Sequence, residues 1–242
     1  MNVVVYRLPQ TILGNPDFTI LTARSFCPLC RKKIHWHDNI PILSYILLKG
    51  KCRFCDKKIA ARYILLELLT ILVTLVVYQM MGLHHKMFVS IVLSWWLLAL
   101  MTIDIEHYLL PDQLTLSLLW LGLLVNLHGF FIPLPQAVLG AIAGYCLPWA
   151  IDSLYFLIRK KNGIGQGDWK LLAALGAWFG GPATFYILAV AAILATLCGV
   201  IGLLGKKLKF HSELPFGPFL CLATWIFLFF PINSIIPLMK LG

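Results

Sequence analysis

From residue 63 onward the chain is a succession of apolar runs broken by short polar stretches. The runs cover residues 63–82, 87–103, 113–132, 136–158, 183–205 and about 215–231, with a shorter one at 168–180. A bilayer core is ~30 Å thick, and a helix crosses it with about 20 apolar residues. Backbone N–H and C=O groups find no water there, and a helix pairs them within the run. The 168–180 run reaches only roughly 20 Å at 1.5 Å per residue, short of a full crossing. The expected fold is an all-α polytopic membrane protein with about six to seven transmembrane helices. Composition agrees: 60% of residues are hydrophobic, 12% are charged and the mean hydropathy is +0.85. Soluble domains carry about 25% charged residues. Met1–Pro9 has no basic n-region and no small-residue cleavage site, so no cleavable signal peptide is expected.

A polar insert, residues 24–62, precedes the spans and holds 10 of the 20 lysines and arginines. It is too small for a stable core of its own, and a bound metal would supply the missing stability. It contains Cys27-Pro28-Leu29-Cys30 and Cys52-Arg53-Phe54-Cys55, with 21 residues between the pairs. Four thiolates in this pattern are the ligand set of structural zinc. Disulfides are disfavoured in a reducing cytoplasmic loop, and a redox pair is the competing reading. His35 and His37 read as surface histidines, because four cysteines already close the site. Cys146, Cys198 and Cys221 lie singly in apolar runs, where a thiol packs as a small hydrophobe. Three regions follow: 1–23, a remnant of an N-terminal helix ended by Pro9 and then a loop; 24–62, a small cytoplasmic tetracysteine zinc subdomain; and 63–242, the transmembrane domain.

The net charge of +10 comes with no nucleic-acid-binding module, so nucleic acid is excluded as a partner. In a membrane protein, lysine and arginine instead mark cytoplasmic loops. With 24–62 inside, the inside segments are 24–62, 104–112, 159–167 and 205–214, which hold 16 of the 20 basic residues. The acidic 104–112 connector is the exception. Asp104, Asp112 and Asp168 therefore share the cytoplasmic face.

Asp168 follows the stretch Asn162-Gly163-Ile164-Gly165-Gln166-Gly167 at the start of the short apolar run. An ionisable residue there marks a functional site unless it only caps the helix. Two carboxylates in a low-dielectric site share one proton, so one can act as base toward water while the other donates to a carbonyl. Asp104 is the preferred partner for Asp168. Asp112 follows Pro111 and reads as an N-cap of the next helix. Asp152 is expected to pair with Arg159, Glu67 with Arg62 or Arg159, and Glu106 to be solvated. Two other classes compete. A proton-coupled transporter would keep its acids near the bilayer midplane. A nonenzymatic zinc scaffold would not need the glycine-loop aspartate.

Several stretches together resemble the prepilin peptidases, or type IV leader peptidases, of the GxGD class of intramembrane aspartic proteases. They are MNVVVYRLP, the paired CxxC insert, HDNIPILSYILLKGKC, ARYILLELL, DIEHYLLPDQLTLSLLWLGLL, GIGQGDWKLLAALGAWFGG and LPFGPFL, spread over nearly the whole chain. The resemblance implies a multi-pass bacterial inner-membrane enzyme with its active site facing the cytoplasm. It implies cleavage of the basic leader from type IV prepilins or type II secretion pseudopilins. Methylation of the new N-terminus from S-adenosylmethionine is also implied, since the cysteine insert goes with the methylating branch. Asp104 and Asp168 match the catalytic aspartates, and Cys27, Cys30, Cys52 and Cys55 the zinc cysteines. Gly165, Gly167 and Asp112 fall in the same motifs as supporting residues. Family members begin with a full hydrophobic helix before this N-terminal stretch; here the chain begins at Met1-Asn2, so a late start or a reduced first helix is expected.

Overall fold

The computed structural model describes residues 1–14, 25–27, 29–40, 42–161, 163–205 and 214–230. The basic residues Arg24, Lys206, Lys207 and Lys209, residues 15–23 of the expected loop and the apolar tail lie outside them. The described residues are helical, apart from turns and two isolated β-bridges. The helices are α1 (Asn2–Ile12), α2 (Leu43–Leu47), α3 (Ala61–Met81), α4 (His85–His107) and α5 (Asp112–Asn126). They continue with α6 (Leu134–Arg159), α7 (Gln166–Phe179), α8 (Gly181–Leu204) and α9 (Gly217–Phe229). The α3, α4, α6 and α8 helices are long and apolar enough to cross a membrane. With 15, 14 and 13 residues, α5, α7 and α9 reach only about 20–22 Å at 1.5 Å per residue.

The chain forms two compact units, Met1–Trp95 and Trp96–Gly242. In the first, α1 does not end at Pro9 but continues to Ile12, where the Leu13 N–H donates back to the Pro9 carbonyl. Asn2 fastens α1 to α3, donating from Nδ2 to the Tyr63 carbonyl and to Glu67 Oε1, each at 3.1 Å. Glu67 Oε2 accepts the Ile42 N–H at 2.9 Å. The expected Glu67–arginine pair is thus replaced by a latch joining α1, α3 and the segment before α2. Much of α3 presents Leu65, Leu68, Ile71, Leu72 and Leu75 outward, as a lipid-facing helix does.

The second unit is built around α7. Every residue from Leu171 to Phe179 is buried, so this helix has no lipid-facing side. Glycines make that possible. Gly140 of α6 and Gly176 of α7 lie backbone to backbone, and a Cβ on either would collide with the other's carbonyl oxygen. Four residues on, Gly144 abuts the Leu172 carbonyl. This is the small-xxx-small crossing that lets membrane helices approach closely. On the α5 side, Gly122 makes room for the Trp178 indole, whose Nε1 donates to the Leu118 carbonyl at 2.9 Å.

The expected span 113–132 stops as a helix at Asn126, and the cause is that side chain. Asn126 is fully buried. Its Nδ2 donates to the Ala177 and Trp178 carbonyls, and its Oδ1 accepts the Phe131 and Ile132 N–H groups. It satisfies carbonyls at the end of α7 and amides in the turn that follows α5, groups that would be costly to leave unpaired in a lipid setting. The α4 helix runs past residue 103 to His107, so Asp104 is helical rather than in a connector.

Replacing Gly176 with leucine puts a side chain where the α6 backbone already stands. Gly176→Leu should destabilise the second unit by about 3 kcal/mol or more, read as a lowered midpoint of thermal unfolding in detergent. A midpoint equal to that of the unmodified chain would remove the close-crossing account.

Candidate functional site

In the first unit the two CxxC segments form matching turns. Cys27 N–H donates to the Lys32 carbonyl and Arg31 N–H to the Cys27 carbonyl. Cys52 N–H donates to the Lys57 carbonyl and Asp56 N–H to the Cys52 carbonyl. Antiparallel bridges, Phe26 with Lys33 and Lys51 with Lys58, close each turn at the same offset. The residue four after each leading cysteine is left-handed: Arg31 at φ 55° and Asp56 at φ 53°. The insert is thus a duplicated device, each copy presenting two sulfurs from one tight turn.

The Sγ atoms of Cys27, Cys30, Cys52 and Cys55 all lie within 4.8 Å of one another, and Cys27 Sγ is 4.0 Å from Cys55 Sγ. A tetrahedral site with ~2.3 Å metal–sulfur bonds sets its sulfurs about 3.8 Å apart. The cluster can therefore hold a metal ion with little adjustment. Burial opposes the Cys52 thiolate, but N–H groups of Phe54 and Cys55 directed at its sulfur outweigh it and pull the thiol down to about 7. That favours the ligating form. His35 stacks on His37, with ring centroids 5.3 Å apart, and packs on Phe54. Neither histidine joins the cluster. Arg53 clamps Asp38 through two hydrogen bonds of 2.8 and 2.7 Å, which hold the Asp38 carboxyl below its usual range.

In the second unit, Asp104 and Asp168 come together. Asp104 is only 6% exposed, and its Oδ2 accepts the Gly217 N–H at 2.9 Å. Gly217 opens α9, so this N–H is one of the four that a helix N-terminus leaves unpaired. Only a glycine fits, because a Cβ there would come within 2.7 Å of the carboxylate oxygen. Asp168 lies in the first turn of α7, where the helix cap is Gly165 rather than the aspartate. Its Oδ2 turns back over Gly165, 3.0 Å from where a Cβ would stand. The two carboxylates are near enough to act on each other electrostatically. The thiol of Cys221, one turn along α9 from Gly217, is fully buried.

The connector between α4 and α5 locks this arrangement. Leu110 fills the space that Cβ atoms on Gly167 and Gly217 would need, which brings the starts of α7 and α9 onto the segment after Asp104. Asp112 is the first residue of α5 and makes no cap; Pro111 occupies that position. Its carboxylate instead takes Lys170 Nζ at 2.7 and 2.8 Å, tying α5 to α7 two residues beyond Asp168. Glu106 lies 3.8 Å from His107.

Asp152 differs most from expectation. It does not reach Arg159. It is 5% exposed, and its Oδ1 accepts the N–H groups of both Gly163 and Ile164. The buried carboxylate holds the glycine loop that leads to Asp168. Spacing along α6 suggested Arg159, seven residues away, but a desolvated carboxylate is better served by two converging amides. Gly217, Leu110 and Cys221 were also missed. The one available signal was Gly217-Pro218 in LPFGPFL, since proline near a helix start implies exposed N–H groups just before it.

These features define a class: a helical membrane protein with a tetracysteine cluster in one unit and, in the other, a buried aspartate beside a half-buried one. The family signature "Type IV leader peptidase family" matches residues 91–200, and "Bacterial Peptidase A24 N-terminal domain" matches residues 1–81. A prepilin leader peptidase/N-methyltransferase of Aeromonas salmonicida is 43% identical over 245 residues, covering 93% of this chain and 84% of that protein. Proteins of the same name from Aeromonas hydrophila and Neisseria gonorrhoeae are 39% and 40% identical, with the same coverage. The chain belongs to the type IV leader peptidase family. No solved structure matches it.

Removing the Asp152 carboxylate leaves two loop amides without their acceptor, at about 1–3 kcal/mol. Asp152→Ala should speed hydrogen exchange at Gly163 and Ile164, whereas Asp152→Asn, which keeps an oxygen in place, should retain most of the protection. Equal protection in all three proteins would show that the loop does not depend on this side chain.

Proposed function

We propose that the chain is a bifunctional prepilin peptidase and N-methyltransferase. It removes the basic leader from type IV prepilins or type II secretion pseudopilins and then methylates the new N-terminus. The observation that carries the reading is that Asp104, buried, and Asp168, half-buried, stand on different helices close enough to act on each other electrostatically. The names and identities of the relatives support the substrate class.

In the mechanism, the two carboxylates share one proton and hold a water between them. The ionised carboxylate takes a proton from the water as its oxygen attacks the scissile carbonyl carbon. The protonated one gives its proton to the carbonyl oxygen, forming a neutral tetrahedral gem-diol. The diol then collapses: a proton passes to the amide nitrogen, the C–N bond breaks, and the leader leaves with a new carboxyl terminus. Gly217 keeps Asp104 in place through its N–H. Gly165 lets the Asp168 carboxylate fold back, Gly167 admits Leu110, and the Asp112–Lys170 pair steadies α5 against α7. The enzyme is a multi-pass protein of the bacterial inner membrane with these aspartates on the cytoplasmic side, which the distribution of 16 of 20 basic residues supports. A pilin precursor is an apolar helix with a basic leader, so its scissile bond lies at that interface.

Residues 63–242 carry the peptidase, and 24–62 form the zinc subdomain. Cys27, Cys30, Cys52 and Cys55 hold a structural Zn²⁺, for which four mutually close sulfurs on two rigid turns are a fitting donor set. S-adenosylmethionine supplies the methyl group for the freed amine. A transporter or a nonenzymatic scaffold accounts less well for an aspartate pair at helix ends braced by three other elements.

Two outcomes test the reading. Asp104→Ala and Asp168→Ala should each lower leader cleavage by about 100-fold or more while the protein remains inserted, measured as conversion of a prepilin to its shortened form. Full cleavage by both would end the peptidase assignment. Cys27→Ser and Cys52→Ser should lose zinc by elemental analysis and reduce methylation; unchanged metal content would remove the zinc assignment.

A further inference from the structure

The first unit contains a partly open cavity of about 220 Å³ whose wall includes Cys27 and Cys52 of the sulfur cluster and neither member of the aspartate pair. It lies between α1, the start of α3 and the cysteine turns, and its walls mix three chemistries. Tyr6, Tyr45 and Tyr63 supply aromatic faces, Asp38 and Glu67 supply carboxylates, and Arg7 supplies a guanidinium. Arg7 is 4% exposed, with its guanidinium carbon 5.5 Å from the Phe26 ring centroid, so a buried cation faces this space. The Tyr45 ring is seated by design of the backbone. Gly50, at φ 68°, leaves the space that its Cζ and hydroxyl occupy, and a Cβ there would stand 3.0 Å from both.

We propose that this cavity is the binding site for the methyl donor, S-adenosylmethionine; the assignment rests on the methyl-transfer reading above. The donor carries a flat purine, a sulfonium cation, a ribose diol and a zwitterionic amino-acid end. Aromatic faces accept the purine by stacking and the sulfonium by cation–π attraction. Asp38 and Glu67 are each already hydrogen-bonded, yet carboxylate oxygens keep further lone pairs for an ammonium or a diol. A buried guanidinium matches the donor's carboxylate. The wall thus carries both signs of charge beside its apolar residues. The residues that line the cavity all fall within residues 1–81, which the separate N-terminal signature covers.

The test uses the zinc-loaded full chain in detergent, without pilin, and reads binding rather than turnover. Labelled S-adenosylmethionine is measured by equilibrium dialysis and, in parallel, cross-linked with ultraviolet light and mapped by peptide. The expected label falls on peptides containing Tyr6, Tyr45 or Tyr63. Tyr45→Leu is expected to weaken binding about tenfold, with Tyr45→Phe near the unmodified chain and prepilin cleavage unchanged in both. Saturable binding with the label mapped elsewhere overturns the site while leaving methyl transfer standing. Absence of donor binding by the unmodified chain removes the methyl-transfer reading, and this site with it. The cross-link map needs no variant, so it decides even if Tyr45→Leu does not fold.

Discussion

The backbone-to-backbone contact of Gly140 with Gly176 is the constraint on which the second unit depends. Hydrocarbon gives helices no hydrophobic reason to associate, so close van der Waals approach must do the work. Because these glycines carry no side chain, α7 sinks into the middle of α5, α6, α8 and α9 and loses its lipid-facing side. A helix so enclosed has no need to span the bilayer. It can be 14 residues long and carry a half-buried carboxylate in its first turn.

Setting a carboxylate at that helix start raises a second problem, that of holding it in one place. The solution is distributed over elements far apart in sequence. Asp152 secures the loop before it, Asp112 draws in Lys170 just after it, and Leu110 fills the notch left by Gly167. Asp104 is held separately by the first N–H of α9. Each carboxylate is thus set by a different neighbour. Both aspartates stand on helices, and surrounding hydrogen bonds maintain the positions of these elements.

The first unit solves a different problem. Its 24–62 insert is too small for a core of its own, and two copies of one turn gather four sulfurs instead. The Glu67 latch then joins the insert to α1 and α3. Its carboxylate takes one donor on each oxygen, Asn2 and Ile42, because an unpaired charge beside apolar helices is expensive.

Much of this was legible in the chain itself, because the features are local. Apolar run lengths specified helices in a membrane, cysteine spacing specified a four-sulfur cluster, and the loop charges placed Asp104 and Asp168 on one side. Each of these is carried by neighbouring residues and survives any arrangement of the helices. The tertiary structure alone decided that α5 stops at Asn126, that Asp152 serves the glycine loop rather than Arg159, and that Gly217 meets Asp104 across 113 residues of sequence. Those choices depend on which backbone groups are left unpaired once the helices have packed. A desolvated carboxylate or amide takes the partner that packing brings to it, and no local pattern encodes that partner.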